Sequence, residues 1–100
     1  MRSYTLLREL VRDCGAVLVD EQPADPKKAR HLTATFEGRT HTRFRMCWDR
    51  KEDWGTLQVL GPDGAWLALG PQVRKGKLPP YSNLYEFMVT AERLAGTRPV

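Results

Sequence analysis

The chain has 100 residues, enough for one ordinary hydrophobic core and too few for two. With 41% hydrophobic and 28% charged residues it has the composition of a folded protein, which argues against a disordered chain. Its net charge of +4 favours anionic partners, although so modest an excess also serves plain solubility. No apolar run approaches the ~20 residues that cross a bilayer. Arg8 and Glu9 interrupt the first apolar stretch where a signal peptide would need a continuous core. The expectation is a cytosolic protein with no membrane partner.

Across residues 4–14, Leu6, Leu7, Leu10, Val11 and Cys14 recur three and four positions apart, on one helical face. Arg8, Glu9, Arg12 and Asp13 fall on the other. Ser3 is placed to cap this helix, and Gly15 to end it in a left-handed conformation that a Cβ would oppose. The unbroken run Ala16-Val17-Leu18-Val19 predicts a buried central strand. Over residues 20–30, Pro23 and Pro26 lack backbone donors and break regular structure.

Residues 31–48 carry the clearest sheet signal. Leu32, Ala34 and Phe36 alternate with His31, Thr33, Thr35 and Glu37. After Gly38-Arg39-Thr40, Phe44, Met46 and Trp48 alternate with Arg43, Arg45 and Cys47, which predicts a hairpin with one apolar and one polar face. A second hairpin is expected from residues 56–60 and 65–69. Its turn, Gly61-Pro62-Asp63-Gly64, has a proline to preset φ and glycines to tolerate unusual backbone. Residues 49–53 are charged and solvated, Trp54 is expected to fold back onto the core, and residues 70–81, rich in Gly, Pro and Lys, read as a loop. Asn83 and Glu86 form a capping-box pattern at the stripe Leu84, Phe87, Met88, Ala91 and Leu94, a second helix closed by Gly96 and Pro99.

These elements predict an α+β fold in one domain over residues 1–100, in the order α-β-β-β-β-β-α. It is a two-layer arrangement: a mostly antiparallel sheet of three to five strands, with an N-terminal and a C-terminal helix packed on one face. The pattern leaves open whether the second hairpin joins the main sheet. Helix, three antiparallel strands and helix is an order similar to that of double-stranded-RNA-binding domains and of HicA-type toxin ribonucleases. The likeness is one of topology. The toxins present their catalytic strand histidine after Gly-Ser, whereas here the segment is Ala29-Arg30-His31.

The polar hairpin face gathers His31, Thr33, Thr35, Arg43 and Arg45, with Arg39 at the turn and Lys27, Lys28 and Arg30 leading in. A second basic cluster, Arg74, Lys75 and Lys77, lies in the expected loop. Cations in such arrays meet successive phosphates, with hydroxyls and imidazoles adding hydrogen bonds. The leading expectation is therefore a small non-enzymatic module that binds a nucleic-acid backbone. An antiparallel sheet also shows such residues to water for solvation alone.

One alternative is a protein-interaction or inhibitor module of the phage or mobile-element accessory kind, docking through an unpaired sheet edge or an exposed Trp66. The other is a histidine-dependent ribonuclease, with His31 as general acid or base and Arg43 or Arg45 stabilising charge. No cofactor is expected. His31 and His41 fall near opposite ends of the hairpin, which disfavours a shared metal. Cys14 and Cys47 read as reduced packing residues, and Trp48, Trp54 and Trp66 as packing residues more than as platforms for bases.

Overall fold

The computed structural model describes residues 2–23 and 29–96. Helix α1, Arg2–Asp13, follows the predicted periodicity and buries Tyr4, Leu7 and Val11 along one stripe, continued by Cys14 just past its end. Leu6, at the margin of that stripe, is exposed. Ser3 lies inside the first turn, so it does not cap the helix as expected; its hydroxyl donates instead to the Gly76 carbonyl, 3.4 Å away. Gly15 ends the turn at φ 101°, and the Arg39 side chain lies directly over it. A guanidinium there complements the unpaired carbonyls of the last helical turn.

Among the described residues six strands follow: β1 (Val17–Gln22), β2 (His31–Glu37), β3 (Arg43–Asp49), β4 (Trp54–Leu60), β5 (Trp66–Leu67) and β6 (Gln72–Val73). They form one sheet in the order β1-β2-β3-β4-β5, with β6 also pairing β4, and every pairing is antiparallel. The second hairpin thus joins the main sheet. Helix α2, Tyr81–Gly96, closes the described chain.

Leu32, Ala34, Phe36, Phe44, Met46, Trp48, Leu57, Val59 and Val73 project to one face of the sheet and are all buried. They form a single hydrophobic cluster with the α1 stripe and with Leu84 and Met88 of α2, so both helices cover the same face. This is the expected α+β, two-layer arrangement with one more strand. Among the described residues, the opposite face carries no helix.

Four expectations are corrected. The run Ala16-Val17-Leu18-Val19 forms an edge strand rather than a central one: among the described residues β1 pairs only with β2, a bulge falls between Leu18 and Asp20, and Val17 and Val19 are exposed. The polar Asp20, Glu21 and Gln22 extend this strand, because an edge tolerates polar side chains that a central strand covered on both faces would not. Helix α2 starts two residues before Asn83, whose amide donates to the Pro80 carbonyl at 3.0 Å. Proline at the entry has a φ already suited to a helix start. Within the expected loop at 70–81, β6 and a tight two-residue turn appear: Lys75 and Gly76 adopt φ 50° and 74°, and the Lys77 amide donates to the Arg74 carbonyl at 3.0 Å. Positive φ at both central positions defines a type I′ turn, whose twist matches a hairpin. Finally, Trp54 does not fold onto the core. It opens β4 on the uncovered face, 40% exposed, because Gly55 takes the inward position against Trp48.

One polar cluster ties α1 to β1. The Tyr4 hydroxyl and Arg8 Nη1, the latter at 2.7 Å, both donate to Glu21 Oε2. Burial, and then the hydrogen bond to Glu21, holds the Tyr4 phenol well above the ordinary tyrosine range. The unfolded chain releases that proton near pH 10 while the folded chain keeps it, so this stabilisation is complete below about pH 10 and declines above it. Thermal unfolding should therefore show a Tm that falls as pH rises beyond about 10, and Tyr4→Phe should flatten the fall.

Candidate nucleic-acid interface

Strand register sorts the uncovered face into rows. His31, Asp49 and Trp54 make the first row; Gln22, Thr33, Cys47, Thr56 and Gln72 the second; Asp20, Thr35, Arg45 and Gln58 the third. Val17, Glu37 and Arg43 follow, with Leu60 and Trp66 paired further along. The threonines and arginines share the face as the alternation predicts.

The face itself is close to electrically balanced. Arg43 Nη2 lies 3.1 Å from Glu37 Oε2, and His41 Nδ1 lies 2.7 Å from Glu37 Oε1. The hydrogen bond with His41, with Arg43 adding its charge, holds the Glu37 carboxyl below the usual range. Arg45 donates to Gln58 Oε1 at 2.8 Å, and its guanidinium carbon stands 4.4 Å from the centroid of the Trp66 ring. Trp66, expected to be the most exposed tryptophan, is thereby half-buried, and Trp54 takes that position. Arg39 sits away from this surface, over the end of α1.

The positive charge collects instead at the strand tips beside Trp54. Arg30 precedes β2 and donates from Nε and Nη2 to Asp49 at 3.3 and 3.2 Å. Asp49 Oδ1 also accepts the amides of Lys51 and Glu52, at 3.0 and 3.2 Å, which shapes the turn between β3 and β4. Its carboxyl is held below the ordinary aspartate range, first by the Arg30 hydrogen bond and then by the turn amides and the Arg30 charge. The Arg50 amide donates to the Arg30 carbonyl at 2.7 Å, extending the β2–β3 pairing to its tip. Ala29, Arg30, Arg50 and Lys51 line an open depression of about 440 Å³.

On the other side of Trp54, the β6 turn presents Arg74, Lys75 and Lys77, all exposed. The Gly76 amide donates to the Asp53 carbonyl at 2.9 Å, which joins this turn to the tip of β4. Arg74 bonds Gln72 Oε1 at 3.1 and 3.3 Å. From β2 to β6 there are three strand spacings, so this end is about 14 Å wide. Among the described residues it holds six cations, Arg30, Arg50, Lys51, Arg74, Lys75 and Lys77, against Asp49, Glu52 and Asp53. The sequence alone puts Arg30 and the Arg74 cluster in separate groups, and the fold brings them to one end. It also adds Lys51 and Trp54, which the sequence pattern assigns to a solvated turn and to the core. Lys27 and Lys28 lie outside the described residues.

His31 is exposed in the first row, and Arg45 and Arg43 lie about 13 and 20 Å along the strand from it. The structure does not bring them together for catalysis. Among the described residues, no three His, Cys, Asp or Glu side chains gather where they could hold a metal ion, and no helix is long and apolar enough to cross a membrane. Cys14 and Cys47 are both free thiols. No family model, curated protein or solved structure matches the chain.

Proposed function

We propose that this protein is a non-enzymatic module that grips the phosphate backbone of a nucleic acid with the basic end of its sheet. The observation that carries this reading is the convergence of two basic turns, Arg30 with Lys51 and Arg74 with Lys75 and Lys77, on the same strand tips. Both turns are braced by hydrogen bonds, Asp49 holding one and the Asp53 carbonyl the other. The cations are therefore displayed from an ordered backbone, with Arg30 paired to Asp49 and Lys51, Arg74, Lys75 and Lys77 in no ion pair with another described residue. Phosphate contacts of this kind give affinity with little sequence preference.

The test is binding of mixed DNA and RNA oligonucleotides across a salt series. Four or five phosphate contacts should give a logarithmic salt slope of roughly −3 to −4. A protein that binds none of them even at low salt would overturn the reading.

A second reading, a protein-interaction module, draws support from the edge of β1, where Val17 and Val19 are exposed beside backbone groups that no strand of the described residues pairs. It predicts that a charged substitution at Val19 abolishes capture of a protein partner and leaves oligonucleotide binding unaltered.

A further inference from the structure

We infer that the nucleic acid taken by this end is single-stranded, and that one unpaired base stacks on the indole of Trp54. This deepens the phosphate-binding reading above and rests on it.

Trp54 is the bulkiest side chain on the first row of the uncovered face and leaves 40% of its surface in water. The fold could have buried an aromatic ring here only on the inner face, and that space is filled by Trp48, whose ring presses against Gly55. Trp54 therefore contributes little to the core. Its surroundings also differ from those of the other two tryptophans. Trp48 is enclosed beside Tyr4, with ring centroids 6.1 Å apart. Trp66 already carries the Arg45 guanidinium on its ring. Trp48 is thus closed to a base and Trp66 already has a cation stacked on it, whereas no ring or cation of the described residues stacks on Trp54.

The charges around Trp54 suit an unpaired strand. One more step of the β4–β6 register beyond Gly55 and Val73 sets Arg74 opposite Trp54. Lys75 and Lys77 follow in the I′ turn, while Asp49, the neighbour on the other side, is occupied by Arg30. A strand crossing the tips would meet cations before and after the indole, with its base directed at the ring. Stacking of this kind is tolerant of sequence because every base has a π-face, and it is closed to a duplex, whose bases already stack on one another. Duplex readers instead insert a helix or a β-ribbon into a groove; here both helices lie on the opposite face of the sheet, and the I′ turn projects only two residues.

The experiment compares a fluorescent oligothymidylate with a duplex of equal length, using the full chain, Trp54→Ala, Trp54→Phe and the double variant Lys75→Glu/Lys77→Glu. Far-ultraviolet circular dichroism and Tm establish that each is folded. Trp54→Ala should weaken single-strand binding roughly tenfold to a hundredfold and leave duplex binding unchanged, and Trp54→Phe should restore most of the loss. The double charge variant should weaken both ligands. If Trp54→Ala has no effect, or weakens both ligands equally, while the charge variant still loses affinity, the stacking inference fails and the phosphate-binding reading stands. If the unaltered protein binds neither ligand at low salt, both fail together.

Discussion

Gly55→Ala is expected to cost about 3 kcal/mol, at the upper end of what overpacking a core imposes. A Cβ built on Gly55 would overlap the Trp48 ring at Cε3, stand 2.7 Å from Cζ3, and lie 3.1 Å from the Cys47 carbonyl oxygen. The ring cannot swing clear, because Trp48 is 2% exposed and backed by Tyr4. For a domain of this size the loss corresponds to a fall in Tm on the order of 15 °C. The coupling is as informative as the loss. In a Trp48→Leu background the same alanine should cost far less, since the atoms it strikes are gone. Equal costs in the two backgrounds would show that the backbone of β4, and not the indole, sets the requirement for glycine.

Reversing the β6 turn, with Arg74, Lys75 and Lys77 all replaced by glutamate, should lower oligonucleotide affinity by roughly a hundredfold at moderate salt. A weakening of about 1 kcal/mol at each of the three positions gives that figure. The salt slope should shrink by about 2 at the same time, because three fewer counterions are released. Stability should scarcely change: the three side chains are exposed, and Arg74 bonds only Gln72, at the surface. A variant that keeps its Tm but loses both affinity and slope places the phosphate-binding groups in this turn. Unchanged affinity would place them elsewhere.

The elements with strong periodicity are legible from sequence. The α1 stripe and the β2–β3 hairpin each repeat a pattern long enough to identify, while the reversal at 61–64 is marked by its turn residues, and Gly64 does adopt positive φ, 86°. The sign of Glu37 opposite Arg43 is also readable from the hairpin register, so the balanced face is implicit in the alternation. Strand β6 is not. Two residues between Gly70 and the Lys75-Gly76 turn have no period of their own, and Gln72–Val73 is a strand only because β4 extends far enough to pair with it. The one local signal is Lys75-Gly76, a dipeptide compatible with a I′ turn. Trp54 escapes the sequence pattern for a related reason. Starting β4 at Thr56 hides the inward glycine that turns the preceding side chain outward. The two basic clusters are each visible, while their meeting at one end depends on this long-range pairing.

The bracing of the two tip turns has a consequence for the thermodynamics of any encounter. Asp49 fixes one loop through two amides, and the other is a two-residue reversal tied to Asp53. The backbone at this end has already given up its conformational freedom on folding, so the entropy lost in complex formation falls on the ligand and on a few long side chains. Binding should then proceed at a rate governed by diffusion and charge steering, without a slow ordering step in the protein.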